Sequence, residues 1–330
     1  MITAFAPGRV NLIGEYTDIA DGLVLPMAIH LGTTVTGQPG GDVVTLTSAD
    51  ETEPAVVPLD VTDPASCQPD WARYVAGVVA ELRPTVGFTG TVTTTLPIGA
   101  GLSSSAALEV AVALALGFDG DTVELAQLTR RAEHAASGVP CGIMDQLASA
   151  AGVAGSALLI DCHELTVTPV PVAGDVEVRV IHSGQARQLA GSAYGERKAA
   201  VDAAAALLGP LRLIDDPATI DQVDDLVVRR RARHVITENA RVRRFADHLS
   251  AGKLGAAGAE MAASHASLRD DFEVSTTVLD ELVDRLSTTP GVYGARLTGA
   301  GFGGCVVALT APGALDEGWL VRPSRGAYRS

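Results

Sequence analysis

Apolar and polar positions along the chain follow two periods, one typical of strands and one typical of helices. β-Branched runs and period-two alternation predict strands at 43–46, 91–96, 176–181, 295–298 and 305–309. Runs with a helical period predict helices at 103–116, 121–137, 192–208, 222–249, 254–268 and 276–286, and one that leaves the turn 138–147 and ends near Gly152. The helix 121–137 has the clearest boundaries, because Asp121 and Glu124 form a capping box and Gly138 can end the helix.

This order of elements predicts an α+β fold of two mixed lobes. With 330 residues, the chain is long enough for two domains that share an interface. Pro169, Pro171 and Gly174 form the best candidate linker, which predicts a first lobe over 1–172 and a second over 173–330.

Composition and charge exclude several classes of protein. A net charge of −15 argues against nucleic acid as a partner, because phosphate backbones would be repelled. The one basic cluster, 229–234, is predicted to be a solvated helix face that pairs with Asp224, Asp225 and Glu238. The four cysteines have no paired short spacing, which indicates a reducing compartment. With neither a signal-peptide pattern nor an apolar run long enough to span a bilayer, we expect a cytoplasmic protein without a membrane partner.

The segment Pro97 to Leu108, which reads Pro-Ile-Gly-Ala-Gly-Leu-Ser-Ser-Ser-Ala-Ala-Leu, is the most informative part of the chain. Gly99 and Gly101 permit a tight turn close to a ligand, and the following helix presents its unpaired N–H groups to that ligand. Its three serines could cap the helix, bind phosphate oxygens or bind a metal. The loop indicates a phosphate site, although an ordinary strand-loop-helix junction would look similar, and it lacks the lysine of a P-loop.

Charged residues in two other segments suit a polyol and a metal. Arg9, Glu15 and Asp18 could hold hydroxyls by bidentate hydrogen bonds, or they could be surface charges at a strand end. Asp145, in the first turn of a predicted helix, is either a simple helix cap or a site carboxylate. Glu133 could complete a magnesium site with a serine of the glycine-rich loop.

Six segments, in order, resemble the galactokinase family of the GHMP small-molecule kinases. The similarity covers residues 4 to about 309. The matching segments are 8–18, 97–108, 141–146, 231–239, 264–275 and 297–304. The resemblance implies two lobes of the GHMP kinase type with the active site in the cleft between them.

The resemblance also implies residue roles, with ATP and Mg²⁺ as cofactors and galactose or a similar sugar as substrate. The implied catalytic residues are Asp145, as base or orienting carboxylate, and Arg9, which would keep Asp145 ionised. The implied sugar-binding residues are Glu15, Tyr16, Thr17, Asp18, Gly142 and Tyr194. The implied ATP-binding residues are Gly99, Ala100, Gly101, Leu102, Ser103, Ser104 and Ser105, with Trp71 either on the adenine side or a core-edge aromatic. Ser105 and Glu133 would hold Mg²⁺.

The sequence departs from the family pattern at two places. Tyr16 stands where many members have His, and Ile19 where a Tyr is familiar, so we expect Tyr16 to bind a neutral sugar hydroxyl near C6. Between Leu309 and Trp319 the chain is shorter than the family pattern by about one helix. We expect this shortening to affect the packing of the second lobe, and hence its stability, more than the chemistry. The leading hypothesis is a monomeric galactose 1-kinase; the alternatives are a related kinase for arabinose or N-acetylgalactosamine, and a non-catalytic sensor. The intact Ser103 to Ala107 segment favours an enzyme.

Overall fold

In the computed structural model, which describes residues 1–97, 99–186 and 190–330, a six-stranded mixed sheet opens the fold. Its spatial order is β13-β1-β3-β6-β4-β5, with only β4 and β6 parallel among its described pairings. These strands are β1 (Ile2–Asn11), β3 (Pro26–Pro39), β4 (Val43–Ser48), β5 (Ala55–Pro58), β6 (Phe88–Thr94) and β13 (Tyr328–Arg329). Ile98, inside the predicted phosphate loop, lies outside the described residues.

Four helices and a small sheet complete the first half. The helices are α1 (Ala72–Leu82), α2 (Ser104–Ala115), α3 (Thr122–Ser137) and α4 (Met144–Ala151). A three-stranded sheet joins β2 (Leu23–Val24), β7 (Ser156–Asp161) and β8 (Thr166–Pro171). The capping box is confirmed, since Asp121 accepts from the backbone N–H groups of Val123 and Glu124, and Gly138 closes α3 at φ +70°. Pro169 and Pro171 belong to β8, so their assignment to a linker is wrong; Gly174 alone lies outside a strand.

The second half combines four helices with an antiparallel sheet of order β10-β11-β9-β12. The strands are β9 (Glu177–His182), β10 (Val292–Thr298), β11 (Cys305–Thr310) and β12 (Trp319–Val321). The helices are α5 (Ala190–Leu208), α6 (Leu226–Ser250), α7 (Leu254–Asp270) and α8 (Thr277–Ser287). The predicted start of α6 at Gln222 is wrong, because Asp225 caps the helix by accepting from the N–H groups of Val227 and Val228.

The basic cluster 229–234 is only partly as expected. Arg230 and Arg231 pair with Glu273, and Arg233 pairs with Asp271, so the cluster is salt-bridged. The predicted partners are wrong, and the face is not solvated throughout: Arg231 and His234 are buried. The segment 271–273 that follows α7 crosses this face and supplies the carboxylates.

A continuous apolar core joins the two halves. Val10, Leu12 and Ile13 of the first half pack in one cluster with Phe245 of α6 and Val307 of β11. The connection between β11 and β12 is short, as the sequence indicates. Because β12 pairs with β9, the second sheet still has a fourth strand. The last strand, β13, then pairs with β1 of the first sheet. The division at 172/173 stays a prediction. Within the described residues, no helix has the length and apolar character needed to cross a membrane.

Candidate active site

A cavity of about 670 Å³ opens between the two halves, and most of the predicted site residues line it. It is lined by Arg9, Glu15, Tyr16, Asp18, Gly99, Gly101, Ser103, Ser104, Ser105, Glu133, Val139, Cys141, Gly142, Met144, Asp145, His182, Ala186, Tyr194, Gly299 and Ala300. Three glycine-containing segments of the sequence, 8–14, 99–101 and 299–304, therefore converge on one space.

Arg9 and Asp145 form the charged centre of this cavity. Arg9 Nε donates to Asp145 Oδ1 and Nη2 donates to Oδ2, both at 2.7 Å, in a bidentate pair. Arg9 Nη1 donates to Gly101 O at 2.8 Å, which ties the same guanidinium to the glycine-rich loop. Arg9 is 6% exposed, whereas the Asp145 side chain is 28% exposed. Arg9 thus holds the Asp145 carboxylate on one side, and the other side of the carboxylate is exposed to the cavity.

The N-terminus of α2 faces the cavity across the glycine-rich loop. Gly99 and Gly101 have φ values of +73° and +68°, a conformation that favours glycine. Ser103 occupies the N-cap position of α2 at φ +58°, but its side chain makes no capping bond and donates to Asp145 instead. Of the three roles that the sequence left open for these serines, helix capping does not apply to Ser103. The first N–H groups of α2 are left for a ligand, and the helix dipole favours an anion there.

Ser105 and Glu133 lie side by side, as a magnesium site requires. Ser105 Oγ donates to Glu133 Oε1 at 2.9 Å, and Gln146 Nε2 donates to Oε2 at 2.6 Å. Burial, followed by the charge of Asp145, raises the pKa of Glu133 to about 7, although its hydrogen bonds and Arg9 oppose the shift. One carboxylate and one hydroxyl fit Mg²⁺, which takes its other ligands from phosphate and water. No cluster of three or more His, Cys, Asp or Glu that could hold a metal alone occurs in the described part of the chain.

Asp18 and Gly142 are packed directly on one another. A Cβ atom on Gly142 would lie 2.1 Å from Asp18 Oδ2, so only glycine fits there. Burial raises the pKa of Asp18 to about 7; the charges of Asp145 and Glu15 act in the same direction, and Arg9 opposes them. A buried carboxylate beside a cavity, with like charges near it, is well placed to accept from ligand hydroxyls.

Glu15 is bound to the second half of the molecule. Arg296 Nη2 donates to Glu15 Oε2 at 2.9 Å, and both side chains are almost completely buried. Thr298 Oγ1 donates to Oε1, as does the backbone N–H of Gly299, and Asn11 donates to Oε2. Both carboxylate oxygens of Glu15 therefore accept hydrogen bonds within the protein, and they join the segment 11–15 to the segment 296–299.

Tyr16 lies at the cavity wall among aromatic rings. Its ring centroid is 5.2 Å from that of Tyr194 and 4.5 Å from that of Phe272. Its hydroxyl donates to Ala300 O at 2.6 Å, so the proton is used within the protein, and a sugar hydroxyl could only donate to the phenol oxygen. This limits the predicted role of Tyr16. Burial raises the pKa of Tyr194 well above its usual value, which keeps that phenol neutral.

Helix α6 supports the loop that carries Glu15 and Tyr16. Glu238 Oε1 accepts from the N–H of Gly14 at 3.0 Å, and His234 Nε2 contacts Glu15 O at 3.0 Å. Asn239 Oδ1 accepts from the N–H of Leu23 at 2.7 Å. The segment 231–239, which resembles a galactokinase motif, thus satisfies buried polar groups of the predicted sugar-binding loop.

Four predicted site residues do not line the cavity. Thr17 is buried and donates to the carbonyls of Gly14 and Leu23, so its hydroxyl holds the turn together. Ala100 and Leu102 contribute side chains to the apolar core. Trp71 packs in the core beside α1 and its indole N–H donates to Glu53 O, as expected of a core-edge aromatic.

Sequence reasoning missed His182, Arg296 and Ala300. His182 ends β9 and lines the cavity, while Arg296 and Ala300 contact Glu15 and Tyr16. The glycine segment 299–304 was an available signal for Ala300. No pattern in the sequence near Arg296 indicates its role, because its partner Glu15 is 281 positions away.

Three family models match separate parts of the chain. A galactokinase galactose-binding signature matches residues 2–39, which include Arg9, Glu15 and Asp18. The N-terminal domain of GHMP kinases matches residues 73–153, and the C-terminal domain of GHMP kinases matches 245–318.

Curated relatives extend this similarity over nearly the whole chain. Human galactokinase is 43% identical over 92% of this chain and 82% of the human protein. Galactokinase from Chloroflexus aurantiacus is 41% identical over 98% of this chain and 89% of that protein. Among solved structures, galactokinase from Lactococcus lactis in complex with galactose superimposes with a TM-score of 0.91 at 31% identity, covering 99% of this chain and 95% of that one. The chain is a member of the galactokinase family of GHMP kinases.

Proposed function

We propose that this protein transfers the γ-phosphate of ATP to the C1 hydroxyl of galactose, with Mg²⁺, and releases galactose 1-phosphate and ADP. The observation that carries the proposal is the bidentate Arg9–Asp145 pair, open to the cavity and next to the N-terminus of α2. A carboxylate that can orient a hydroxyl is thereby placed beside a site suited to phosphate groups.

The sugar is proposed to bind on the side of the cavity formed by Asp18, Gly142 and Tyr194. Asp18 would accept from two sugar hydroxyls, and the close contact of Gly142 with its carboxylate fixes the direction of that carboxylate. Glu15 and Thr17 would act indirectly, since both are bonded within the protein. Tyr16 would contribute its ring and its phenol oxygen as acceptor.

ATP is proposed to bind along the glycine-rich loop, with its phosphates at the N-terminus of α2. Space is open on the Cα of Gly99, where a Cβ would meet nothing within 4 Å, and Ser104 and Ser105 line the cavity. Ala100 and Leu102 would take part through their backbone, and the contribution of Trp71 would be to support α1. Ser105 and Glu133 would hold Mg²⁺, which supplies positive charge to neutralise phosphate oxygens.

The proposed chemistry depends on positioning and charge. Asp145 accepts the proton of the C1 hydroxyl, whose oxygen forms the new bond to the γ-phosphorus while the bond to the bridging oxygen breaks and its electron pair leaves with ADP. Arg9 holds Asp145 through both carboxylate oxygens, and Ser103 donates to the same carboxylate. Because these donors hold the Asp145 carboxylate in one orientation, Asp145 contributes mainly by orienting the C1 hydroxyl.

A coupled assay of ADP release against a panel of sugars tests this proposal. We expect galactose to give the highest kcat/KM, with arabinose and N-acetylgalactosamine as the competing substrates. Turnover with another sugar and none with galactose would assign a related kinase. Binding of galactose and ATP without ADP release would assign the sensor function.

The remaining expectations concern partners and location. We propose a monomer in the cytoplasm that binds neither nucleic acid nor membranes, on the basis of its charge of −15 and the wide spacing of its four cysteines in the sequence. Light scattering after size-exclusion chromatography tests the oligomeric state. A mass twice that of the 33.8 kDa chain would contradict it.

A further inference from the structure

Ser149 makes a second link between the two elements that carry Arg9 and Asp145. It lies on α4 one helical turn after Asp145 and is 1% exposed. Its Oγ donates to the carbonyl of Pro7 in β1 at 2.7 Å, in a buried contact. A serine inside a helix commonly bonds a carbonyl of the preceding turn, whereas the Ser149 hydroxyl bonds a strand. The hydroxyl therefore joins α4 to β1 close to the ion pair.

The part of β1 that carries Arg9 is not fixed by the sheet alone. The pairing of β1 with β3 changes register between Pro7 and Arg9. An irregularity of this kind interrupts the ladder of backbone hydrogen bonds. The N–H of Arg9 donates to Leu102 O at 3.1 Å, and the carbonyl of Pro7 accepts from Ser149. Contacts from outside the sheet therefore help to determine where this part of the strand lies.

The backbone of α4 is also joined to β1, through the segment 326–329. The carbonyl of Ser149 accepts from the N–H of Ala327 at 3.0 Å, and that of Gly152 accepts from the N–H of Gly326 at 2.7 Å. The last carbonyls of a helix have no partner within the helix, so these donors satisfy them. The same segment continues into β13, which pairs with β1. This path anchors the C-terminal end of α4, whereas the Ser149 hydroxyl acts on the turn next to Asp145.

A second attachment beside the ion pair matters because α4 is short. The helix covers only Met144–Ala151, so it moves as one body. The Arg9–Asp145 pair alone would allow α4 to pivot about the guanidinium. Such a pivot displaces the carboxylate, and a displacement of about 1 Å at a reacting group can cost on the order of 10²-fold in rate. The bond from Ser149 to Pro7 opposes this motion.

We propose that Ser149 is a positioning residue: its hydrogen bond to Pro7 O sets α4 on β1, and thereby the direction in which Asp145 meets the hydroxyl that is phosphorylated. Ser149 itself touches no substrate, because it is buried and does not line the cavity. The inference rests on the proposed function where it makes Asp145 the partner of a sugar hydroxyl.

The variant Ser149→Ala removes the hydroxyl and little volume. We expect kcat to fall by about three- to tenfold, the range for one lost hydrogen bond, with the KM values for sugar and MgATP changed by less than about twofold. Ser149→Cys keeps a weak S–H donor and should have an intermediate kcat. The matched control is Thr33→Val, which removes a buried hydroxyl that joins β3 to β6 and should leave kcat unchanged.

A merely structural role would lower the melting temperature of Ser149→Ala and leave the kcat of the folded protein as in wild type, and that result would overturn the proposal. The double variant Asp145→Asn/Ser149→Ala tests the path. If Ser149 acts through Asp145, loss of its hydroxyl should lower kcat no further once Asp145 has been replaced. A further loss of about three- to tenfold in that background would contradict the proposal.

Solvent exchange of the Arg9 Nε proton provides a readout independent of activity. This proton lies in the 2.7 Å bond to Asp145 Oδ1, and its NMR signal is assigned by its absence from Arg9→Lys. It should exchange about three- to tenfold faster in Ser149→Ala than in wild type, because the pair opens more often. An unchanged exchange rate would overturn the inference.

Two outcomes of these experiments need separate treatment. If Ser149→Ala fails to fold, the kcat and the exchange rate of Ser149→Cys decide, and wild-type values of both would contradict the proposal. If no sugar is phosphorylated by the wild type, the proposed function fails, while the exchange rate still tests whether Ser149 holds the Arg9–Asp145 pair.

Discussion

Arg9 and Asp145, 136 positions apart, are joined by two hydrogen bonds of 2.7 Å that use both oxygens of the carboxylate. A planar guanidinium matched to a carboxylate in this way fixes the orientation of both groups. Because Arg9 is buried and Asp145 is open to the cavity, the pair presents a carboxylate of defined direction to a ligand.

Asp145→Asn should preserve the fold and sugar binding but lower kcat by about 10²- to 10⁴-fold. The amide is nearly isosteric, but it cannot accept a proton or form the bidentate ion pair with Arg9. Steady-state kinetics and a melting temperature measure the two effects. Asp161→Asn makes the same chemical change at the end of β7, outside the cavity, and serves as control. A kcat within a few-fold of wild type would remove Asp145 from the chemistry.

Glu133→Gln and Ser105→Ala should each increase the Mg²⁺ concentration needed for half-maximal rate. Each removes an oxygen ligand from an ion that has few contacts with protein. A titration of rate against Mg²⁺ at saturating ATP measures this, with Glu81→Gln, a surface partner of Arg131, as control. Unchanged titrations in both variants would place the metal elsewhere or on ATP alone.

Gly142→Ala should raise the KM for the sugar by about ten- to hundredfold, the range for a lost hydrogen bond to a charged group. The new Cβ would lie 2.1 Å from Asp18 Oδ2, so the carboxylate must move. Calorimetric affinity for the sugar and kcat distinguish binding from turnover. Gly174→Ala, where a Cβ meets nothing within 4 Å, is the matched control. Normal sugar affinity in Gly142→Ala would separate Asp18 from the binding site.

The kcat/KM for the sugar should rise with pH up to about 7, because burial and like charges raise the pKa of Asp18 to about 7 and its ionised form accepts stronger hydrogen bonds from sugar hydroxyls than the neutral acid does. Stability should change in the opposite direction. The folded pKa exceeds the unfolded value of 3.8, so the stabilisation by the bound proton is complete below that value and is lost as the pH rises through about 7.

Melting temperatures of wild type and Asp18→Asn between acidic and weakly alkaline pH check this sign. The variant should lose less stability over that interval, although Glu133 contributes a loss of the same sign. Equal losses in both proteins would contradict the assignment to Asp18.

Glu238→Gln should destabilise the protein strongly at neutral pH and much less near pH 2. Burial acts to raise the pKa of Glu238, but the charges of Arg241, His234 and Arg296 outweigh it and lower that pKa to about 2. The stabilisation is therefore present above the usual value of 4.5 and is lost as the pH falls towards 2. Urea unfolding across this range measures it. Glu317→Gln, from a half-exposed pair with Arg285, should change stability little.

Local chemistry determined how much of the fold could be predicted. The capping box at Asp121 and the glycine after α3 act within one turn, so those boundaries were predicted correctly. Strands β1 and β3 were not predicted, because Pro7, Gly8 and Gly32 interrupt the alternation and only pairing with neighbouring strands holds them extended.

The candidate site likewise contains some features that the local sequence predicts and others that it does not. The glycine-rich loop and the first turn of α4 are local features, so the places of Ser105 and Asp145 on their helices followed from sequence. That Ser103 would bond to Asp145 rather than cap α2, and that Tyr16 would donate to Ala300, depends on segments far apart in the chain. Such contacts exist only after the halves have packed.

The buried pair of Glu15 and Arg296 also determines when part of the fold can form during synthesis of the chain. The two residues are 281 positions apart, so a ribosome adding about 5–20 residues per second makes Arg296 roughly 14 to 56 s after Glu15. Until then Glu15 has no cation to offset the loss of its hydration, and water is its better partner. The loop that carries Glu15 and Tyr16 therefore reaches its final buried position only when β10 has been made, and nascent chains that end before β10 should leave this loop accessible to proteases.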